Sequence, residues 1–188
     1  MAQYHGLVPV NINSYDDFKN EVIGNWYDVD GVFGAQCVDA AKLLAGNAGR
    51  PSPYWKSDPD GYASEGWSII SNREYNAGNL FDLIYNRADV RRGDLVVIGE
   101  SAISYTGHIA FADTDWNAST YSANLLGQNQ VNPNFTTGHE FTVTTLNVTN
   151  FLGAFRFKAW QQPTPPSIRR SKFPWFLISN KLRNKQLY

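Results

Sequence analysis

The sequence predicts an α+β domain in which helices come first and an antiparallel sheet follows. Two observations carry that expectation. In the first quarter, apolar residues recur at helical spacing, as Tyr15, Phe18 and Val22 and then in the run Val38 to Leu44. From Leu95 onward, short apolar runs of strand length alternate with turn residues. Helices and strands segregated in this order suit a sheet with helices packed on it, not alternating βαβ units.

Each element has its own reason. Residues 1–13 read as a polar, irregular extension, with Pro9 opposing a helix. Ser14 and Asp17 form a capping-box pair that opens a helix over 15–23. An acidic loop, 25–36, leads to a second helix from Cys37 to about Leu44, closed by Gly46-Asn47. The stretch 47–79 is rich in Gly, Pro, Ser, Asn and Asp around Trp55 and Trp67. It reads as long loops with one helical turn at most. Leu80–Tyr85 is a short apolar segment, and Arg92-Gly93-Asp94 a turn. The strand candidates are Leu95–Ile98, Ile109–Ala112, Thr120–Leu126, Phe141–Leu146 and Ala154–Phe157. Residues 161–166 form a Pro-rich linker ahead of a basic, aromatic tail, 167–188.

Composition narrows the class. The 188 residues are 43% hydrophobic and 18% charged, with a formal net charge of −1, enough for one domain with a real core. No run of about 20 apolar residues exists to span a membrane. The start, Met1 to Val10, lacks the basic-then-apolar order of a secretory signal. The single cysteine excludes an internal disulfide, and it and three scattered histidines offer no zinc-ligand spacing. The tail holds Arg169, Arg170, Lys172, Lys181, Arg183 and Lys185 and no acid, leaving an acidic body without the basic stripe that nucleic acid needs. With Phe173, Trp175 and Phe176 among those cations, the tail suits an anionic polymer or surface as well as a solvated extension.

The chemistry concentrates in Asp28 to Asp39. Cys37 begins the second helix, where free backbone N–H groups favour a thiolate. Of His5, His108 and His139, only His108 opens a predicted strand, with Gly107 leaving room beside it, which makes it the best general base. A third group is needed on the far imidazole nitrogen, and Gln128 and Asn129, just past the next strand, are placed to supply it. Asp28, Asp30 and Asp39 fall at positions 1, 3 and 12 of a twelve-residue window, as in a calcium loop, with Val32 and Gly34 at the carbonyl-donating positions. Phe33 and Gly31 depart from the EF-hand pattern, so the residues alone fit a calcium loop and a plain acidic turn equally.

Four motifs in order, Asp-Val-Asp-Gly-Val-Phe-Gly-Ala-Gln-Cys-Val-Asp (28–39), Arg-Gly-Asp-Leu-Val-Val-Ile-Gly (92–99), Gly-His-Ile-Ala (107–110) and Gly-Gln-Asn-Gln (127–130), resemble the CHAP family of cysteine, histidine-dependent amidohydrolases/peptidases. The resemblance is strongest to endolysins of phages that infect Gram-positive bacteria. It implies a papain-like fold over residues 14–160, with an antiparallel sheet of about six strands. It also implies cleavage of an amide bond in peptidoglycan, by an N-acetylmuramoyl-L-alanine amidase or an endopeptidase. By the same resemblance Cys37 is the nucleophile, His108 the base and Asn129 the orienting amide, and Gly127 occupies a position that is glutamate in many members. Gln36 and Gln128 are candidate oxyanion or assisting groups. Structural calcium at Asp28, Asp30, Val32, Gly34 and Asp39 follows from it too. The expected setting is synthesis in the host cytoplasm and action on the wall, with a holin-dependent release or carriage on the virion. A tail protein that only degrades or binds the wall during entry is the alternative.

Overall fold

The computed structural model describes residues 1–50, 63–77, 80–100, 105–117, 119–131, 133 and 136–161, and within 72–77 the backbone only. Its centre is a six-stranded antiparallel sheet of β3 (Phe81–Ile84), β4 (Leu95–Ile98), β5 (His108–Ala112), β6 (Ser122–Gly127), β7 (Thr142–Asn147) and β8 (Phe151–Phe157). The order across it is β3-β8-β4-β5-β6-β7. Among the described residues three α-helices accompany it, α1 (Tyr15–Val22), α2 (Cys37–Asn47) and α3 (Glu65–Ala77). The α+β class, the helices at 15 and 37 and the five expected strands are all present, with β3 formed by the apolar segment after Leu80.

Strand periodicity builds a core on both faces. In β4, Leu95 and Val97 point into the larger cluster, with Phe18, Leu43, Leu44, Phe111 and Phe155, while Val96 and Ile98 enter a second cluster with Ala110, Leu125 and Ala154. Phe18 of α1 lies edge-on to Phe111 of β5, ring centroids 5.0 Å apart. At its N-terminal end α1 is capped by Ser14, whose side chain accepts from Asp17 N–H. It is tied to the sheet where Tyr15 Oη and Lys19 Nζ both donate to Asp113, at 2.9 and 2.7 Å. Arg156 of β8 clamps buried Asp94 through two parallel hydrogen bonds of 2.9 and 2.7 Å.

Two expectations are corrected. Residues 65–77, read as loop, form the thirteen-residue α3. Its sequence is rich in Ser, Asn and Glu, and what holds it is distant: the Trp67 indole abuts Gly153 of β8, where even a methyl group would collide, and it meets Phe155 at 5.0 Å. The irregular extension at 1–13 is also sewn into the fold. Its Gln3–His5 is β1, paired parallel with β2 (Trp26–Asp28), and Tyr4 stacks on Tyr27 at 4.9 Å. A three-residue strand is too short to register as a period in the sequence. The Pro-rich segment from 162 and the basic tail lie outside the described residues. Among the described residues no helix is long and apolar enough to cross a membrane.

Candidate functional site

β2 delivers the chain into the acidic loop, and the loop delivers Cys37 to the first turn of α2. Gln36 precedes it in an extended conformation, φ −95° and ψ 166°, which ends the loop and starts the helix. Asp39 then caps the turn from within: its carboxylate accepts from Gln36 N–H at 2.9 Å and from Val29 N–H at 3.1 Å. The helix α2 packs against β5, and the backbone N–H groups of Ile109, Val38 and Cys37 itself bear on the thiol. These donors favour thiolate, but burial outweighs them and, with the Asp39 charge, pushes the thiol up to about 11.

His108 is the residue before Ile109 on that same strand, paired with Ile98 of β4. It opens the strand on which α2 packs. Gly107 before it has φ +77°, and a Cβ there would lie 2.6 Å from the Ile98 carbonyl oxygen, so only glycine allows this entry into the strand. The imidazole is buried, and burial lowers it to about 4, against a smaller opposing effect of its hydrogen bond to Gln130. That bond runs from Nε2 to Oε1 at 3.3 Å.

Three consecutive amides follow β6, and they do three different things. Asn129 adopts φ 54°, a left-handed conformation that asparagine tolerates better than most residues, and this turns the chain between its neighbours. Gln128, fully buried, is spent on backbone: it accepts from Tyr27 N–H at 2.7 Å and donates to the carbonyls of Tyr27 at 3.0 Å and Gln36 at 3.2 Å. With both amide hydrogens engaged on backbone carbonyls, it braces the nucleophile loop. Asn129, expected on the imidazole, instead donates to Gln36 Oε1 at 2.8 Å. Gln36 in turn donates to the Phe33 carbonyl, so its amide is bound up in the loop. The side chain found on His108 is Gln130, which was not singled out from the sequence.

The carboxylates also converge. Asp28, Asp30 and Asp39 each offer an oxygen within 4.8 Å of the others. Asp28 and Asp30 also accept from Gly31 and Val32 N–H at 2.8 and 2.9 Å, folding the loop on itself. Lys42 of α2 pairs with Asp30, and His5 of β1 lies 3.5 Å from Asp28. Burial pushes the Asp39 carboxyl up to about 7. Further along, Ala35 bridges to Gly138, and neither Gly34 nor Gly138 has room for a Cβ, because each abuts the other segment's backbone at Thr137 and Ala35. Val32 is exposed, and Gly34 has φ +69°.

The fold is shared with an endolysin. The solved structure of wild-type LysIME-EF1 superposes with a TM-score of 0.56 at 22% identity, over 79% of this chain and 64% of that one. A curated relative, the D-alanyl-L-alanine endopeptidase of Streptococcus phage B30, is 32% identical over 119 residues. That match takes in 62% of this chain but 25% of the relative, so the chain corresponds to about a quarter of that protein's length. No protein-family model matches the chain.

Proposed function

We propose that this chain is a peptidoglycan hydrolase of the CHAP type that cuts an amide bond of a Gram-positive cell wall through Cys37. The observation that carries the reading is a thiol at the start of α2, a helix packed on β5, the strand that His108 opens. The likeness to a phage endopeptidase and to an endolysin fold supports the same reading. His108 takes the Cys37 proton as sulfur attacks the peptide carbonyl, and the Cys37 N–H at the helix start faces the developing oxyanion. Burial favours the uncharged thiol–imidazole pair until then. Collapse of the tetrahedral adduct expels the amine, which takes the proton from His108 and leaves a thioacyl enzyme. Water, deprotonated by His108, releases the acid and regenerates the thiol.

The curated relative's name favours an endopeptidase cutting between D-alanyl and L-alanyl residues over an amidase. Mass spectrometry of muropeptides from digested walls decides between the two bonds. Cys37→Ala is expected to abolish clearing in a zymogram of Gram-positive walls while leaving the melting curve intact. Undiminished clearing would rule out the thiol mechanism. The setting that fits is synthesis in a phage-infected host and action at the wall.

The acidic loop suits a structural calcium ion held by Asp28, Asp30 and Asp39, with the backbone carbonyls of Val32 and Gly34 on the same loop. Hard oxygen donors converge there, and Lys42 makes an ion pair with Asp30 of the three. Bound, the ion would neutralise the carboxylates and steady the loop ahead of Cys37, with no part in bond breaking. The expected result is a melting temperature that falls with EDTA and returns with calcium, and that stops responding in Asp30→Asn. A melting curve indifferent to both reagents would remove the ion from the reading.

A further inference from the structure

We infer that Gln130 is the residue that positions the imidazole of His108, a role that rests on His108 being the base proposed above. Its amide is oriented without ambiguity. Nε2 donates to the carbonyl of Leu125 at 3.1 Å and to that of Thr142 at 2.7 Å, so both its hydrogens are committed to the β6–β7 backbone. Oε1 is therefore the atom that meets His108 Nε2, and an oxygen there can only accept. The neutral ring must carry its proton on Nε2, and Nδ1 is left as the basic nitrogen. A buried hydrogen bond of this kind selects one tautomer and one ring orientation, which is what a thiol-activating base requires.

The space for this arrangement comes from Gly127. A Cβ at that position would lie 2.9 Å from Ala110 Cβ and 3.2 Å from both Cδ and Oε1 of Gln130. The side chain of Gln130 thus folds back, from three residues further along, over the bare backbone of Gly127. The left-handed turn at Asn129 makes the return possible. Gly127 and Gln130 are one device: the first vacates the place that the second fills. The pair is buried, Gln130 being 3% exposed, so neither solvent nor substrate competes for the imidazole nitrogen.

The test uses the full chain with isotope-labelled histidine, reading tautomers from imidazole nitrogen shifts near neutral pH. His108→Gln assigns the resonance among the three histidines. The wild-type chain is expected to show His108 neutral with a slowly exchanging Nε2–H. Gln130→Leu should lose that signal or mix the tautomers. It should also slow wall lysis at saturating substrate about 10- to 100-fold, a part of what a positioned acid–base group contributes. Gly127→Ala, which crowds Gln130 without removing its amide, should shift the resonance in the same direction by less. An Nδ1–H ring in the wild-type chain would overturn the assignment. So would an unshifted Nε2–H signal in whichever of the two variants folds. The tautomer is read without turnover, so a wild-type chain that fails to lyse walls would defeat the proposed hydrolase and leave this measurement standing.

Discussion

Burying His108 as a neutral ring makes folding stability depend on pH in a way that can be isolated. Burial lowers the imidazole from 6.5 to about 4 in the folded chain. Between those two values the unfolded chain binds a proton that the folded chain refuses, so stability must rise with pH across that window and fall on acidification. The size follows from about 2.5 pH units at 1.36 kcal/mol each, or about 3 kcal/mol as an upper figure, a sizeable share of the 5–15 kcal/mol typical of a domain. Asp39 acts in the opposite sense: with its folded value raised to about 7, it stabilises at low pH and loses that contribution as pH rises from 3.8 through 7. A single melting curve would mix the two. Urea unfolding of wild type and His108→Gln, compared at each pH from about 7 down to about 4, cancels Asp39 and every other shared group. The wild-type advantage is expected to shrink by about 3 kcal/mol across that range and then level off. Two stability curves that stay parallel would show that His108 titrates as an ordinary solvated ring, and would refute the buried, neutral base.

Other perturbations have equally definite outcomes. Arg156→Leu strands the Asp94 carboxylate, which is buried and loses both arms of its clamp, and should cost about 3–5 kcal/mol in urea unfolding. A loss below about 1 kcal/mol would mean that water replaces the guanidinium. Gly153→Ala drives a methyl group into the Trp67 indole, so α3 must lift from β8, at about 1–3 kcal/mol with a changed near-ultraviolet tryptophan signal. An unaltered spectrum would place the indole elsewhere.

Much of this molecule could be read from its residues, and the failures share a physical origin. The strands β4 and β5 announce themselves because they are buried on both faces, so apolar residues run without interruption. The places of Cys37 at a helix start and His108 at a strand start are legible because both are local features. The helix α3 was missed because its stabilising partner, Gly153, contributes no side chain and is remote in sequence. The choice among the three amides after β6 has the same character. Gln128, Asn129 and Gln130 are chemically interchangeable as hydrogen-bonding groups. Which of them reaches His108 depends on one left-handed backbone angle at Asn129, and on the absence of a side chain at Gly127. The acidic loop was legible as a cluster of carboxylates, while its contact with His5 depended on β1, an element of three residues.

The backbone-to-backbone seam between Gly34-Ala35 and Thr137-Gly138 has a consequence for how such a chain can diverge. Each glycine exists to admit the other strand of the seam, so neither position can drift alone. A lineage that acquires any side chain at 138 loses the reason to keep glycine at 34, and the loop carrying the cysteine must then find another mooring. Homologues in which the seam persists are therefore expected to keep glycine at both positions. Those that have abandoned it should show change at both, together with altered length in one of the two loops.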